Sequence, residues 1–238
     1  MKPFLCSLPL LLTFSLNAQA PTAVPLSQEP HHHLALENEY VRVFRVSVPA
    51  HAATLLHQHD VPYIYVSLGP AEVVNAVQGK PDSLIVMTDG QVGYSPGHFA
   101  HIARTDAGST FDNVTIELLK PQGVPRNDCE TVIAGNIGPC DLSHAAPSGA
   151  IIIRPLMETD EMRVDSFSVK QGRVIDSPHS SPGLLVSVGA APVRIDHVPG
   201  QLGKTLRAGE AVWLAAGAKP EFLVRDFPEA RLLLLTFK

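Results

Sequence analysis

A β-rich segment of this chain occurs twice, and the repeat restricts the possible folds more than any other feature of the sequence. Residues 47–69 read SVPAHAATLLHQHDVPYIYVSLG, and residues 168–189 read SVKQGRVIDSPHSSPGLLVSVG. The offset between matching residues is 121 at the start, 120 after a one-residue deletion, and 119 where Gly90 faces Gly209. A nearly constant offset over this length indicates two domains of common ancestry.

Both copies consist of short runs of Val, Ile, Tyr and Phe separated by turn-forming residues. The 238 residues include 17 glycines and 21 prolines, and no window carries the apolar period of an amphipathic helix. Many short strands with Gly and Pro between them are typical of a β-sandwich or barrel. The sequence therefore predicts an all-β protein with domains at 30–120 and 150–238, joined by a linker at 121–149.

Composition excludes several classes of protein. Hydrophobic residues make up 45% of the chain, which is enough for a large core and too many for a disordered protein. The 18 basic and 23 acidic residues give a net charge of −5, so nucleic acid is not an expected partner. A small organic molecule is the partner that we expect.

Residues 1–20 have the features of a secretory signal peptide. A lysine follows the first residue, and the apolar stretch from Phe4 to Leu16 is too short to span a membrane as a helix. Ala18 and Ala20 mark two alternative cleavage sites. We predict a periplasmic or secreted protein that does not associate with a membrane after cleavage; the alternative is a segment that stays attached as an anchor.

Export would decide the state of the cysteines. Cys6 leaves with the signal peptide, and Cys129 and Cys140 remain in the linker. In an oxidising compartment such a pair is expected to form a disulfide. The alternative is two free thiols.

Three histidines carry a possible metal site. His57 and His59 are two residues apart, which places both on one face of a strand. Neutral imidazole is a good ligand for iron, copper, nickel and zinc, and His101 is the candidate for a third nitrogen. The alternative for an isolated H-x-H pair is two polar surface residues.

The surrounding residues resemble the two motifs of the cupin family. The first pattern is HQH at 57–59 followed by Gly69; the second is Gly90, five residues, and then PGHFAH at 96–101. The resemblance implies two jelly-roll barrels in tandem, a bicupin. It also implies a divalent transition metal held by the three histidines, with Fe(II) favoured and Mn, Ni, Cu or Zn as alternatives. A barrel whose histidines only pack or bind a ligand is the competing interpretation.

Tyr63 occupies the position at which the cupin motif has a glutamate. It is four residues after His59, so an unbroken strand would turn it into the barrel. The neutral phenol either donates a hydrogen bond to a bound group, with its hydroxyl within about 6 Å of the histidine nitrogens, or fills space. Glu117, on the last strand of the first domain, is a candidate acid–base group if it points inward.

The second domain carries a degenerate form of the motifs. The residues that face His57, His59 and His101 are Ser177, His179 and Pro220, so we expect that barrel to hold no metal and to be stabilised by an apolar interior and Trp213. The tract His31–His33 is either a metal-binding segment or a solvated lead-in.

The combined hypothesis is an exported metal-binding bicupin that acts as a dioxygenase-like enzyme on a small organic substrate, with Tyr63 and Glu117 as candidate catalytic residues. The alternatives are a non-catalytic module that binds a sugar-like ligand, and a structural exported protein with a relic metal site.

Overall fold

The computed structural model describes residues 22–134, 147–176, 179–198 and 203–238. These residues form strands and a 3-10 helix at Leu26–Gln28, with no α-helix among them, as predicted for an all-β protein. No helix in these ranges is long and apolar enough to cross a membrane. The predicted signal peptide lies outside the described residues.

The first barrel consists of two five-stranded sheets with the orders β1-β4-β9-β6-β7 and β2-β3-β10-β5-β8. Its strands are β1 (Val24–Pro25), β2 (His32–Glu37), β3 (Val41–Val48), β4 (His57–His59), β5 (Tyr63–Ser67), β6 (Ala71–Val77), β7 (Ser83–Met87), β8 (Val92–Ser95), β9 (Phe99–Arg104) and β10 (Phe111–Leu118). Side chains from the two sheets meet inside the barrel, where Phe44 and Val46 pack in one cluster with Val73 and Met87.

The second barrel is built from a nine-stranded sheet that includes two long strands. The strands that follow the first barrel are β11 (Arg126–Asn127), β12 (Pro147–Ser148), β13 (Ile151–Glu158), β14 (Met162–Ile175), β15 (Gly183–Ser187), β16 (Val193–Asp196), β17 (Lys204–Leu206), β18 (Ala211–Leu214) and β19 (Glu221–Phe237).

The sequence repeat is reproduced in the strand register. In the first barrel Val41 of β3 faces Leu118 of β10; in the second, Met162 of β14 faces Phe237 of β19. These pairs differ by the offsets of 121 and 119 residues seen in the sequence. The two barrels therefore have the same topology at these strands, as the tandem jelly-roll prediction requires.

The two barrels pack against each other through an apolar layer. Strand alternation sends one face of β10 into the first barrel and the other face, with Val114 and Ile116, into a cluster shared with Leu233 and Leu235 of β19. Because both partners are fully buried, this layer acts as a third core between the two barrel interiors.

Trp213 packs against this shared layer and does not belong to the apolar cluster inside the second barrel. Its ring stacks on Tyr40 of the first barrel with the centroids 5.3 Å apart. The predicted apolar interior is present without it and includes Phe167, Phe222 and Leu234.

Part of the linker is ordered against the interface. β11 pairs with β13. The Asn127 side chain accepts a hydrogen bond from the Val132 backbone N–H and donates one to the Ile133 carbonyl. Val132 belongs to the shared core. Cys129 is disulfide-bonded. Cys140 lies outside the described residues, so its pairing with Cys129 stays a prediction.

Candidate metal centre

The two motifs place the three histidines side by side. His57 of β4 lies directly opposite His101 of β9 in an antiparallel pair. The turn before β9 needs a glycine, because Gly97 has a φ of +71° and a Cβ there would lie 2.2 Å from the Val61 carbonyl oxygen. The next residue, His98, also has a positive φ and donates its backbone N–H to the His59 carbonyl at 2.6 Å.

The ring nitrogens of these histidines converge. One nitrogen from each of His57, His59 and His101 lies within 4.8 Å of the others. His57 donates through Nδ1 to the Leu55 carbonyl at 2.9 Å, and His101 Nδ1 bonds to Asn75 Oδ1 at 2.6 Å. These contacts leave Nε2 of both rings free to act as ligands, and the Nε2 of His57 is buried with no protein partner.

The spacing and protonation of this cluster fit a metal ion. The Nε2 atoms of His59 and His101 are 3.1 Å apart, and two nitrogens bound at right angles to one ion at about 2.1 Å would be about 3.0 Å apart. Burial lowers the pKa of His57 to about 4, of His101 to about 3 and of His59 to about 2. The rings are therefore neutral near pH 7, which is the form that binds metal.

Tyr63 faces the same cavity, but from the opposite sheet. The chain leaves one sheet after His59 and enters the other at Tyr63, so the two residues do not share the unbroken strand that was predicted. The Tyr63 ring stacks on His59 with the centroids 4.1 Å apart. Burial raises the pKa of Tyr63 to about 12, and its hydroxyl shares a hydrogen bond with the Ser95 side chain. The predicted distance from the hydroxyl to the converging nitrogens stays a prediction.

Known structures share this architecture. No protein-family model matches the sequence, and no curated protein matches it. AerE from Microcystis aeruginosa superimposes with a TM-score of 0.63 at 8% identity, covering 89% of this chain and 95% of that chain. A salicylate 1,2-dioxygenase from Pseudaminobacter salicylatoxidans gives 0.57 at 11% identity over 89% and 77%. An oxalate decarboxylase from Bacillus subtilis gives 0.54 at 10% identity over 84% and 69%.

The chain has the bicupin fold. At these identities the comparisons show the fold alone, and the site must be judged from its own residues. In this chain the three histidines of the first barrel could hold a metal ion.

Glu117 lies on β10 directly opposite Tyr63 of β5. Its buried carboxylate has Oε2 3.0 Å from Nε of the partly exposed Arg42, and neither residue lines the cavity that the histidines face. Burial raises the pKa of Glu117 against the opposing effect of Arg42. The structure therefore gives this carboxyl group a partner in Arg42, and its role as an acid–base group stays a prediction.

The histidines line a cavity of about 310 Å³ inside the first barrel. Its wall is mostly aromatic and neutral polar, with one lysine. Besides the residues above it includes Tyr65, Lys80, Tyr94, Asn113 and Thr115. Sequence reasoning missed this wall, because the strand pattern marks these positions as inward-facing without showing that they surround a cavity.

Two further residues lie beside the cluster: His32, from the tract that the sequence analysis named, and Glu29, which it missed. His32 lines the cavity, with its ring centroid 4.8 Å from that of His57, and its Nδ1 lies 2.6 Å from Glu29 Oε2. The tract at 31–33 was the signal that pointed to this region. Only its middle histidine faces the cavity.

The second barrel has no equivalent site among its described residues. His179 keeps its position but contacts Asp176 at 3.0 Å, and Pro220 has no ligand atom. Ser177 lies outside the described ranges. The only group of three potential ligands in the part of the chain that the structure describes is His57, His59 and His101.

Proposed function

We propose that this bicupin is a metal-dependent enzyme of the dioxygenase type that acts on a small organic substrate. The observation that carries the proposal is the convergence of three neutral imidazoles, two buried and one partly buried, on the wall of an internal cavity. A cavity of about 310 Å³ is at the small end of the range for ligand sites.

The three histidines would hold the metal on one side and leave positions open toward the cavity. Fe(II) is the favoured ion because dioxygenase chemistry needs a redox metal, with Mn, Ni, Cu or Zn as alternatives. When bound, the metal would supply a site for O₂ and for a chelating substrate. Both atoms of O₂ enter the product, so the electrons come from the substrate and no further reductant is needed.

The charges around the cavity favour an anionic substrate. Tyr63 is neutral where the cupin motif has a glutamate, so a 2+ ion would keep more of its positive charge. Lys80 is the one lysine in the cavity wall, which has no arginine, aspartate or glutamate. The hydroxyls and amides of Tyr63, Asn113 and Thr115 would orient the substrate through hydrogen bonds.

A metal assay tests the proposal and separates it from the two alternatives. Tag-free protein is expected to contain about one transition-metal ion per chain, and the double variant His57→Ala/His59→Ala is expected to contain almost none. His179→Ala is the matched control in the second barrel and should keep the metal. A wild-type protein that neither contains nor takes up metal would support the ligand-binding or structural alternative.

We also propose that the protein is exported to a periplasm or secreted. The disulfide at Cys129 supports an oxidising compartment. The intact mass of protein recovered from outside the cytoplasm should correspond to cleavage after Ala18 or Ala20, with no free thiol. An unprocessed chain with two reactive thiols would contradict export.

A further inference from the structure

A buried carboxylate outside both motifs is connected to the metal centre. The Glu29 side chain is fully buried. Its Oε2 accepts the His31 backbone N–H at 2.8 Å and lies 2.6 Å from His32 Nδ1. Its Oε1 accepts the Leu55 backbone N–H at 3.2 Å. These bonds tie the segment before β2 to the segment before β4.

Both connections reach the same metal ligand. The Leu55 backbone N–H donates a hydrogen bond to Glu29. The Leu55 carbonyl accepts a hydrogen bond from His57 Nδ1, which leaves His57 Nε2 free to bind a metal. The His32 ring, held by Glu29, lies against the His57 ring. One carboxylate therefore contacts the two neighbours that fix the position of His57.

The end of the 3-10 helix does not depend on the carboxylate. Glu29 ends the 3-10 helix through its own backbone N–H, which bonds to the Leu26 carbonyl. A buried charge that served only this turn would be costly, because a charged group loses its hydration when it is buried. Its three contacts are better explained by what they hold in place.

We infer that Glu29 is a positioning residue for the metal centre: it fixes the ring of His57 through Leu55 and His32. This inference rests on the proposed metal-dependent function. The glutamate of the cupin motif would bind the ion directly. Glu29 instead acts through the residues that contact His57, as carboxylates hydrogen-bonded to metal ligands or to their neighbours do.

The test compares Glu29→Gln with the wild-type protein by Co(II) titration. The glutamine keeps the shape and an acceptor for Leu55 but loses the charge. We expect Co(II) to bind about 10-fold more weakly, with changed absorption bands of the bound ion. Glu221→Gln is the matched control, since Glu221 is also buried and lies near Arg173 and His197 in the second barrel.

A second measurement does not depend on metal. Long-range proton–nitrogen NMR of the metal-stripped protein reports which nitrogen of His57 carries the proton. The wild type should show the proton on Nδ1 only, and Glu29→Gln should show a mixture of tautomers. If Glu29→Gln does not fold, His32→Asn, which removes one of the two connections, should show the same changes to a smaller extent.

The outcomes are distinguishable. If the wild type binds no Co(II), the proposed function fails. If the wild type binds Co(II) and the Glu29 variant matches it in both affinity and His57 tautomer, the proposed function stands and the positioning role of Glu29 is overturned. An equal loss of affinity in Glu221→Gln would show a general effect of buried charge and would also overturn it.

Discussion

Equivalent strands of the two barrels pair in the same register, but the first barrel encloses a cavity and the second has a packed interior. Thr115 of β10 faces Tyr65 of β5 in the first barrel, and Leu234 of β19 faces Leu185 of β15 at the equivalent positions of the second. The first pair lines a cavity, whereas the second belongs to a packed apolar core. The same backbone thus carries a cavity lined by both apolar and polar side chains in one copy and a packed apolar interior in the other.

The two barrels differ in how much apolar surface their interiors bury. A barrel that keeps a cavity and buried imidazoles forgoes apolar burial, which contributes about 25 cal/mol per Å². The second barrel has the apolar interior, and the shared layer joins it to the first. We interpret the second barrel as the structural support of the first.

The largest expected effect is an acid sensitivity of the first barrel in metal-stripped protein. The pKa values of His57, His101 and His59 fall from an ordinary 6.5 to about 4, 3 and 2. At pH values between 6.5 and these lowered pKa values, the unfolded chain binds more protons than the folded chain. The free energy of unfolding therefore decreases as the pH falls below 6.5. The loss at pH 5 is of the order of 2 kcal/mol for each histidine. Chemical unfolding at pH 7, 6 and 5 measures it.

Two variants locate the source of that acid effect. His59→Leu removes the histidine with the lowest pKa and should reduce the pH dependence, whereas His179→Ala should leave it unchanged. Added metal should oppose the loss, because it binds the neutral rings. Stability that is equal at pH 7 and pH 5 would contradict the prediction.

The next largest effect is expected from exchanging equivalent interior residues. Leu234→Thr removes packing atoms and buries a hydroxyl in the second barrel, so it should lower the free energy of unfolding by about 2–4 kcal/mol. Thr115→Leu places the larger side chain in the existing cavity and should cost less than about 1.5 kcal/mol. Urea unfolding measures both changes.

The same exchange should have the reverse effect on the site. Thr115→Leu is expected to keep the metal and lose any activity or ligand binding that the wild type shows, since it fills the cavity. Leu234→Thr is expected to change neither beyond its effect on stability. Equal destabilisation by the two variants would contradict the interpretation that the first barrel encloses a cavity and the second is packed.

The smallest expected effect concerns Tyr63. Tyr63→Glu restores a carboxylate beside His59 and should increase metal affinity by about 10-fold, if the new side chain reaches the ion. Tyr63→Phe keeps the ring stacked on His59 and should retain the metal. Loss of activity in Tyr63→Phe would indicate a role for the hydroxyl, and unchanged activity would leave the space-filling interpretation. Metal titration and turnover are measured on both, with His179→Ala as the control in the second barrel.

Much of the architecture was predictable from the sequence for a simple reason. Strand periodicity and turn residues act over a few positions, and the constant offset between the copies carried the pattern from one barrel to the other. The positions of His57, His59 and His101 on neighbouring strands followed from the motif spacing. Tyr63 was expected on the inner face, but for the wrong reason, because the strand was assumed to continue.

The sequence by itself determined an all-β chain of two related barrels and the three histidines of the first. Only the tertiary structure decided which inward-facing groups surround a cavity, that Glu117 is paired with Arg42, that Trp213 joins the barrels, and that Glu29 contacts His32 beside the histidine cluster. These outcomes depend on distances between strands that are far apart in the chain. Local periodicity fixes the face on which a side chain lies, whereas packing across two sheets selects its partner.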